Sequence, residues 1–386
     1  MYQMSNIRHV HLEPSTLCNA ACPMCPRNLF GRTSPGLVQT SLTAEQIASI
    51  FPAEVAGGLR GVDFCGSYGE PVLAPALFDI VSYFREHSPT ARLVIYSNGG
   101  VRSNRWWHEL ADRLGRPARV VFGFDGSDRV SSVYRRSVDF EKALSNATAF
   151  IKAGGEAQWD FLVFRHNEHQ VDAAEELSRR LGFVDFQAKK SGRFVRSAME
   201  YVAELDGEHD IESFPVHDPD GTVVGSLEPP ALPRWRNAST ATVEELMRDD
   251  RSLQQMLDLT PIACRAIEDS SIFVGAQGLV FPCCQTYTAA TLPSVTRDPR
   301  NDTQLQELIE SLGGFETLDA LRVGLRAAVE SPTMTAIKQS WDETSIAEGR
   351  LKVCARVCGA LQTFKKQFSS EELVPGPAGY LVGGAS

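Results

Sequence analysis

The first half of this chain predicts an α/β fold on a parallel sheet, and three observations carry that prediction. Short apolar runs alternate with amphipathic segments, six strands in about 190 residues. The apolar runs are strand-length and bounded by Gly, Pro, Asn or Asp. One helical pattern separates each strand from the next, which implies parallel pairing through right-handed crossovers.

In order, the strand-like runs are Ile7–Leu12, Leu59–Cys65, Arg92–Tyr96, Arg119–Phe124, Gln158–Phe164 and Phe183–Gln187. The helical patterns between them are Thr43–Val55, Pro75–Glu86, Asn104–Leu114, Phe140–Ala153 and Glu168–Leu181. Thr43 with Gln46 three residues on forms a capping box at the first helix start. Six such strands fit a doubly wound sheet or an incomplete β/α barrel, and periodicity does not choose between them.

After Lys190 the composition turns acidic and Pro-rich, as in Asp218-Pro219-Asp220-Gly221 and Glu228-Pro229-Pro230. This reads as a long connection or a substrate-facing insert, followed by a helix at Val243–Leu257. Ser271–Val274 and Leu279–Phe281 flank Gly275–Gly278 as a hairpin. Residues 303–348 read as mostly helical. The expected division is 1–195 for the α/β core, 196–262 for the insert, 263–368 for a smaller C-terminal α+β domain and 369–386 for a Pro/Gly-rich tail.

The chain has 386 residues, 38 basic against 48 acidic side chains, and a net charge of -10. That balance argues against a nucleic-acid or membrane-surface partner, which needs clustered Lys and Arg. No apolar run approaches a membrane span, and the first ten residues lack a signal-peptide layout, so a cytoplasmic location is expected. No G-x-S-x-G turn, Walker A loop or Rossmann glycine fingerprint occurs, which sets aside serine hydrolases, P-loop NTPases and simple NAD enzymes.

The nine cysteines are unevenly placed. Cys18, Cys22 and Cys25 crowd the loop after the first strand, Cys65 stands alone, and Cys264, Cys283, Cys284, Cys354 and Cys358 lie in the last third. An odd number in a chain without an export signal points to metal or Fe–S ligation rather than disulfides. Three close thiolates can cap three irons of a [4Fe–4S] cube and leave the fourth open. Zinc would want a fourth ligand, and His9 and His11 on the strand are the nearest.

Cys18-x-x-x-Cys22-x-x-Cys25, with Pro23 and Met24 inside the last spacing, resembles the signature of the radical S-adenosylmethionine (SAM) superfamily. Gly66-Ser67-Tyr68-Gly69-Glu70-Pro71 after the second strand is similar to that family's GGEP segment. Tyr96-Ser97-Asn98-Gly99-Gly100 after the third resembles its ribose and carboxylate loop. Phe122-Gly123-Phe124-Asp125-Gly126, with Tyr134-Arg135 downstream, resembles its SxDG and YR elements, with Gly123 where Ser is common. The resemblance covers about residues 5–190 and implies a partial (β/α)6 barrel. It implies a SAM-binding [4Fe–4S] cluster on Cys18, Cys22 and Cys25. It also implies SAM contacts from Met24, Gly69, Glu70, Ser97, Asn98, Asp125 and Arg135.

Cys264…Gly278…Cys283, followed by Cys354-x3-Cys358, resembles the auxiliary-cluster region called SPASM or, in its shorter form, twitch. Five cysteines are too few for two auxiliary clusters, so the resemblance implies twitch, with one auxiliary [4Fe–4S] cluster on Cys264, Cys283, Cys354 and Cys358. Cys284 can replace Cys283, but neighbours on a strand point opposite ways, so one of the two is expected to serve. A zinc site is the alternative here.

The activity implied is abstraction of a hydrogen atom by a 5′-deoxyadenosyl radical, with net two-electron oxidation of a small molecule or peptide in natural-product biosynthesis. The short lead before Cys18 leaves no place for an N-terminal peptide-recognition domain, which favours a small molecule or a separately recruited peptide. An electron donor such as flavodoxin or ferredoxin is implied as partner. Lys189, Lys190, Arg193 and Phe194 are expected beyond the sixth strand, where Lys190 and Arg193 would bind an anionic substrate group. Cys65, near the substrate, is either a small buried residue or a hydrogen-atom donor in an alternative radical epimerase. A non-catalytic Fe–S or zinc scaffold is the alternative outside enzymology.

Overall fold

A computed structural model describes residues 2–192, 194, 213–237, 250–291, 303–359, 373–375 and 381–383. Arg193, residues 196–212 and 238–249 of the insert, with the first part of the helix expected at Val243–Leu257, and the tail beyond its two short strands lie outside the described residues.

The six expected strands all form, at His9–Leu12, Gly61–Phe64, Arg92–Ser97, Ala118–Gly123, Ala157–Val163 and Asp185–Lys190. They pair in that order, every pair parallel. The chain is thus a partial β/α barrel with helices on one face. Strand alternation explains why. Val10, Leu12, Val62, Phe64, Leu93, Ile95, Val120, Phe122, Trp159 and Phe161 form one face and are completely or almost completely buried under the helices. The opposite face carries His11, Asp63, Tyr96, Gly123, Asp160 and Lys189, and it lines the lumen.

Local chemistry sets the helix ends. Ser103 accepts from the Trp106 amide at the start of Asn104–Leu114, and Asp139 accepts from the Lys142 amide at the start of Phe140–Lys152, each cap worth about 1 kcal/mol. Val171–Leu181 stops at Gly182, whose φ of 89° is the left-handed conformation that glycine adopts without strain.

Four expectations are corrected. The first helix is two, Ala44–Ile50 and Ala53–Ala56, because Pro52 cannot supply the amide that continuity needs. The sixth strand begins at Asp185 rather than Phe183, which closes the preceding helix by donating its amide to Ser178. Lys189 and Lys190 therefore end that strand, paired with Leu162 and Val163, instead of following it. The hairpin of Ser271–Val274 and Val280–Phe281 is not confined to a separate C-terminal unit. Ser271–Val274 pairs parallel with His9–Leu12, so the hairpin extends the barrel sheet to eight strands. Finally, Cys283 and Cys284 do not lie on a strand: Phe281 ends it, and Cys284 opens the helix Cys284–Thr291.

Candidate active site

The cysteine loop leaves the first strand at its carboxyl end, where α/β barrels gather their ligands. Its backbone is tied to the loops that follow the second and fourth strands. The Leu17 carbonyl accepts from the Glu70 amide at 2.7 Å, and Ala21 donates to Arg136 at 2.9 Å. Arg27, buried, donates to the carbonyls of Thr16 and Tyr68. Gly69 packs so closely on Ser15 and Thr16 that a Cβ there would sit 1.7 Å from the Ser15 carbonyl oxygen. Only glycine fits.

Cys22 is buried, while Cys18 and Cys25 are half-buried. Burial, then the nearby Glu70 carboxylate, pushes the Cys18 thiol up to about 12, with Cys22 and Cys25 close enough to add to the effect. Met24 is buried in the same loop.

Glu70 is completely buried and spans two loops. One carboxylate oxygen accepts from the Asn98 amide at 2.7 Å, the other from the Val72 amide at 3.4 Å, and Ser97 adds its hydroxyl. Burial nonetheless raises its pKa. Asn98 reaches back to Asn19 between the first two cysteines, Nδ2 to Oδ1 at 2.9 Å. The second and third motifs are thus locked to the cysteine loop.

Asp125, also fully buried, organises the fourth. It accepts from Arg135 Nε at 2.7 Å and from the Leu162 amide at 2.7 Å, while its own amide donates to Ser131 Oγ at 3.0 Å. Burial pushes its carboxyl up against the pull of Arg135. Burial also opposes the charge on Arg135, but Asp125 and then Cys22 outweigh it and the guanidinium stays firmly protonated. Gly123 now has a reason. A Cβ there would lie 2.6 Å from Arg135 Nη2, so the missing side chain makes room for the guanidinium beside the triplet.

The lumen holds further polar groups. Lys189 forms an ion pair with Asp160, which also accepts from Gln158 Nε2 at 2.8 Å. Burial raises the Cys65 thiol, and Cys284 and Glu13 lie within electrostatic reach of it. Lys190 points to the other face of its strand, where burial lowers its pKa. Glu13 was not anticipated, although a lone acid closing an apolar strand is a legible signal. It accepts from the Tyr68 and Gly69 amides at 2.6 and 3.1 Å, and burial pushes its carboxyl up to about 7. Its second oxygen, His11 Nε2, Ser67 Oγ and the Tyr287 hydroxyl are buried without hydrogen-bond partners among the described residues.

The four remaining cysteines of the expected ligand set converge elsewhere. Cys264, Cys283, Cys354 and Cys358 line one small apolar cavity with Ile262, Pro282, Trp341 and Val357. Hydrogen bonding from Cys358 holds the Cys264 thiol below the ordinary thiol range, favouring the thiolate that metals bind. Tyr2 Oη lies 3.6 Å from Cys264 Sγ, and Thr286 Oγ1 lies 3.6 Å from Cys283 Sγ. The Trp341 indole faces Cys354. Arg350, within electrostatic reach of Cys354, donates to the carbonyls of Thr260, Trp341 and Glu343. Cys284 is outside it: burial raises its thiol to about 12, with Cys283 and Glu13 nearby, on the lumen side. Tyr2 and Trp341 had no sequence signal for these positions.

Both thiol groups suit Fe–S chemistry by donor type. Among the described residues, no three His, Cys, Asp or Glu side chains close around a single ion.

Residues 12–177 match the family model described as the radical SAM superfamily. The barrel is a radical SAM domain. Among solved structures, Streptococcus suis SuiB bound to precursor peptide SuiA aligns with 94% of this chain and 75% of its own, at 13% identity and a TM-score of 0.52. SuiB bound to S-adenosylmethionine aligns over the same shares at 13% identity and 0.51. The anSMEcpe structure with bound AdoMet covers 94% of this chain and 92% of its own, at 14% identity and 0.49. No match was found among curated proteins. The SuiB likeness establishes a shared fold. The radical SAM domain marks an enzyme of radical SAM chemistry and implies SAM and a [4Fe–4S] cluster as its cofactors. No described helix is long and apolar enough to cross a membrane.

Proposed function

We propose that this enzyme oxidises its substrate by two electrons, with Cys18, Cys22 and Cys25 holding the SAM cluster and Cys264, Cys283, Cys354 and Cys358 an auxiliary one in a twitch-type region. When bound, these groups supply hydrogen abstraction by a 5′-deoxyadenosyl radical and a one-electron acceptor. The observation that carries the reading is the single cavity lined by the four C-terminal thiols, apart from the triplet. Four protein thiolates leave no open coordination site, which suits electron transfer rather than substrate binding.

The chain's own residues divide the remaining work. Glu70 and Asn98 hold the cysteine loop against the next two motifs, and Gly69 lets the backbones meet. Arg135, anchored by Asp125, keeps a fixed positive charge beside the triplet, suited to the SAM carboxylate. Asp160, Lys189 and Tyr96 make the lumen polar, suited to a polar small molecule or a peptide side chain; SuiB, of the same fold, binds a precursor peptide.

Radical epimerisation is the second reading, and one observation favours it. Burial keeps Cys65 and Cys284 protonated on the lumen side, and a hydrogen-atom donor must be an S–H. The test is anaerobic reconstitution with dithionite. Cys18→Ala is expected to abolish 5′-deoxyadenosine formation, and Cys354→Ala to retain it while losing oxidised product. Full oxidation by Cys354→Ala would sink the auxiliary role.

A further inference from the structure

At the amino end of the barrel strands a hollow of about 540 Å³ opens to solvent, lined by Arg8, Arg60, Lys338, Tyr2, Ala266 and Ile267 among others. Arg8 and Arg60 precede the first two strands and are joined by their backbones, the Arg60 amide donating to the Arg8 carbonyl at 2.7 Å. Lys338 lies in the last turn of Pro332–Gln339. None of the three cations forms an ion pair with a described residue. Two acids at this end are already engaged: Asp269 with Arg265 at 2.9 Å, and Glu330 with Arg326 at 3.5 Å and the Met4 amide at 3.1 Å. In a chain of net charge -10, this is a local reversal of sign.

The floor of the hollow touches the four-thiol pocket. Tyr2, only 4% exposed, lines the hollow and places its hydroxyl 3.6 Å from Cys264 Sγ. Ala266 and Ile267 follow Cys264 directly, and Ile267 is 40% exposed at the rim. One side chain therefore separates a basic concave surface from a thiol of the pocket.

We infer that this hollow docks an acidic one-electron carrier protein of the ferredoxin type and brings it against Cys264. The inference rests on the reading that the four thiols hold a redox centre. Each turnover would then leave one electron at that centre. The centre is oxidised by one electron, the oxidised carrier is reduced by one, and no bond or proton is exchanged. Electron tunnelling falls steeply with distance, so a wall one tyrosine thick is the favourable place for it. A few charges around an apolar contact match the small interfaces of electron-transfer complexes. The negative remainder of the chain repels an acidic carrier from other faces and steers it here. A small anion such as phosphate is the rival occupant, but no buried, unpartnered donor among the described residues aims into the hollow.

The test measures binding of an oxidised [4Fe–4S] ferredoxin to the reconstituted full chain, at about 50 and about 300 mM salt. Arg60→Glu with Lys338→Glu is expected to weaken binding about tenfold or more at low salt, with iron content and melting temperature unchanged. Arg179→Glu with Arg180→Glu, an equal total charge change on a distant helix, is expected to leave it unchanged. Wild-type binding is expected to weaken as salt rises. Carrier binding that ignores the double reversal, or millimolar phosphate binding there in place of the carrier, overturns the docking. The iron count separates this from failure of the underlying reading. About eight irons per chain with indifferent carrier binding refutes the docking alone, whereas about four refutes the auxiliary centre and the electron route with it.

Discussion

Replacing Asp125 by Ala tests how the SAM-side arginine is held. The substitution removes the partner of Arg135 Nε and leaves the Leu162 amide, buried beside it, without its acceptor. Breaking a buried pair costs about 3–5 kcal/mol. Arg135 keeps 26% of its side chain exposed, which places this case at the lower end. The orphaned amide adds about 1–3 kcal/mol. The total, about 4–6 kcal/mol, is a large part of the 5–15 kcal/mol that typically holds a domain folded. Asp125→Asn keeps the oxygen facing Leu162 and loses only the charge, so about 2–3 kcal/mol is expected. Equilibrium denaturation of the cluster-free chain, followed by circular dichroism, measures both. A cost below about 1 kcal/mol for Asp125→Ala, or equal costs for the two variants, would refute the assignment of Asp125 as the anchor.

Gly69→Ala forces a methyl group into the Ser15 carbonyl, so a stability loss above about 2 kcal/mol and weakened SAM binding by calorimetry are expected. Burial raises Glu13 from its ordinary 4.5 to about 7, so its favourable contribution is full below about pH 4.5 and is lost as pH rises through 7. Glu13→Gln removes that slope. Relative to the variant, the wild type should lose roughly 3 kcal/mol between pH 4.5 and 8, and parallel stability curves would contradict this. Cys65→Ala should retain full yield if the enzyme oxidises, whereas an epimerase would lose product while still cleaving SAM. Solvent deuterium at one product carbon is the independent readout.

The barrel strands were legible because each places apolar residues toward the helices at period two, a pattern that survives boundary errors. The sixth strand was shifted because Phe183 and Val184 are apolar at the end of a helix, while Lys189 faces a polar lumen and reads as loop. The pairing of Ser271–Val274 with His9–Leu12 left no local trace, since it joins segments more than 250 residues apart. Cysteine spacing located both thiol groups. It did not separate Cys283 from Cys284, because the distinction arises from a turn into a helix rather than from strand alternation. Tyr2 and Trp341 reach the four-thiol pocket only through tertiary packing, and nothing in their neighbourhoods signals it.

The most direct measurement is the iron content of the anaerobically reconstituted chain, wild type against the Cys354→Ala, Cys358→Ala double variant. Two cubane centres predict about eight irons falling to about four, with SAM cleavage retained. Equal iron in both proteins would contradict a second centre and return the four thiols to a structural role.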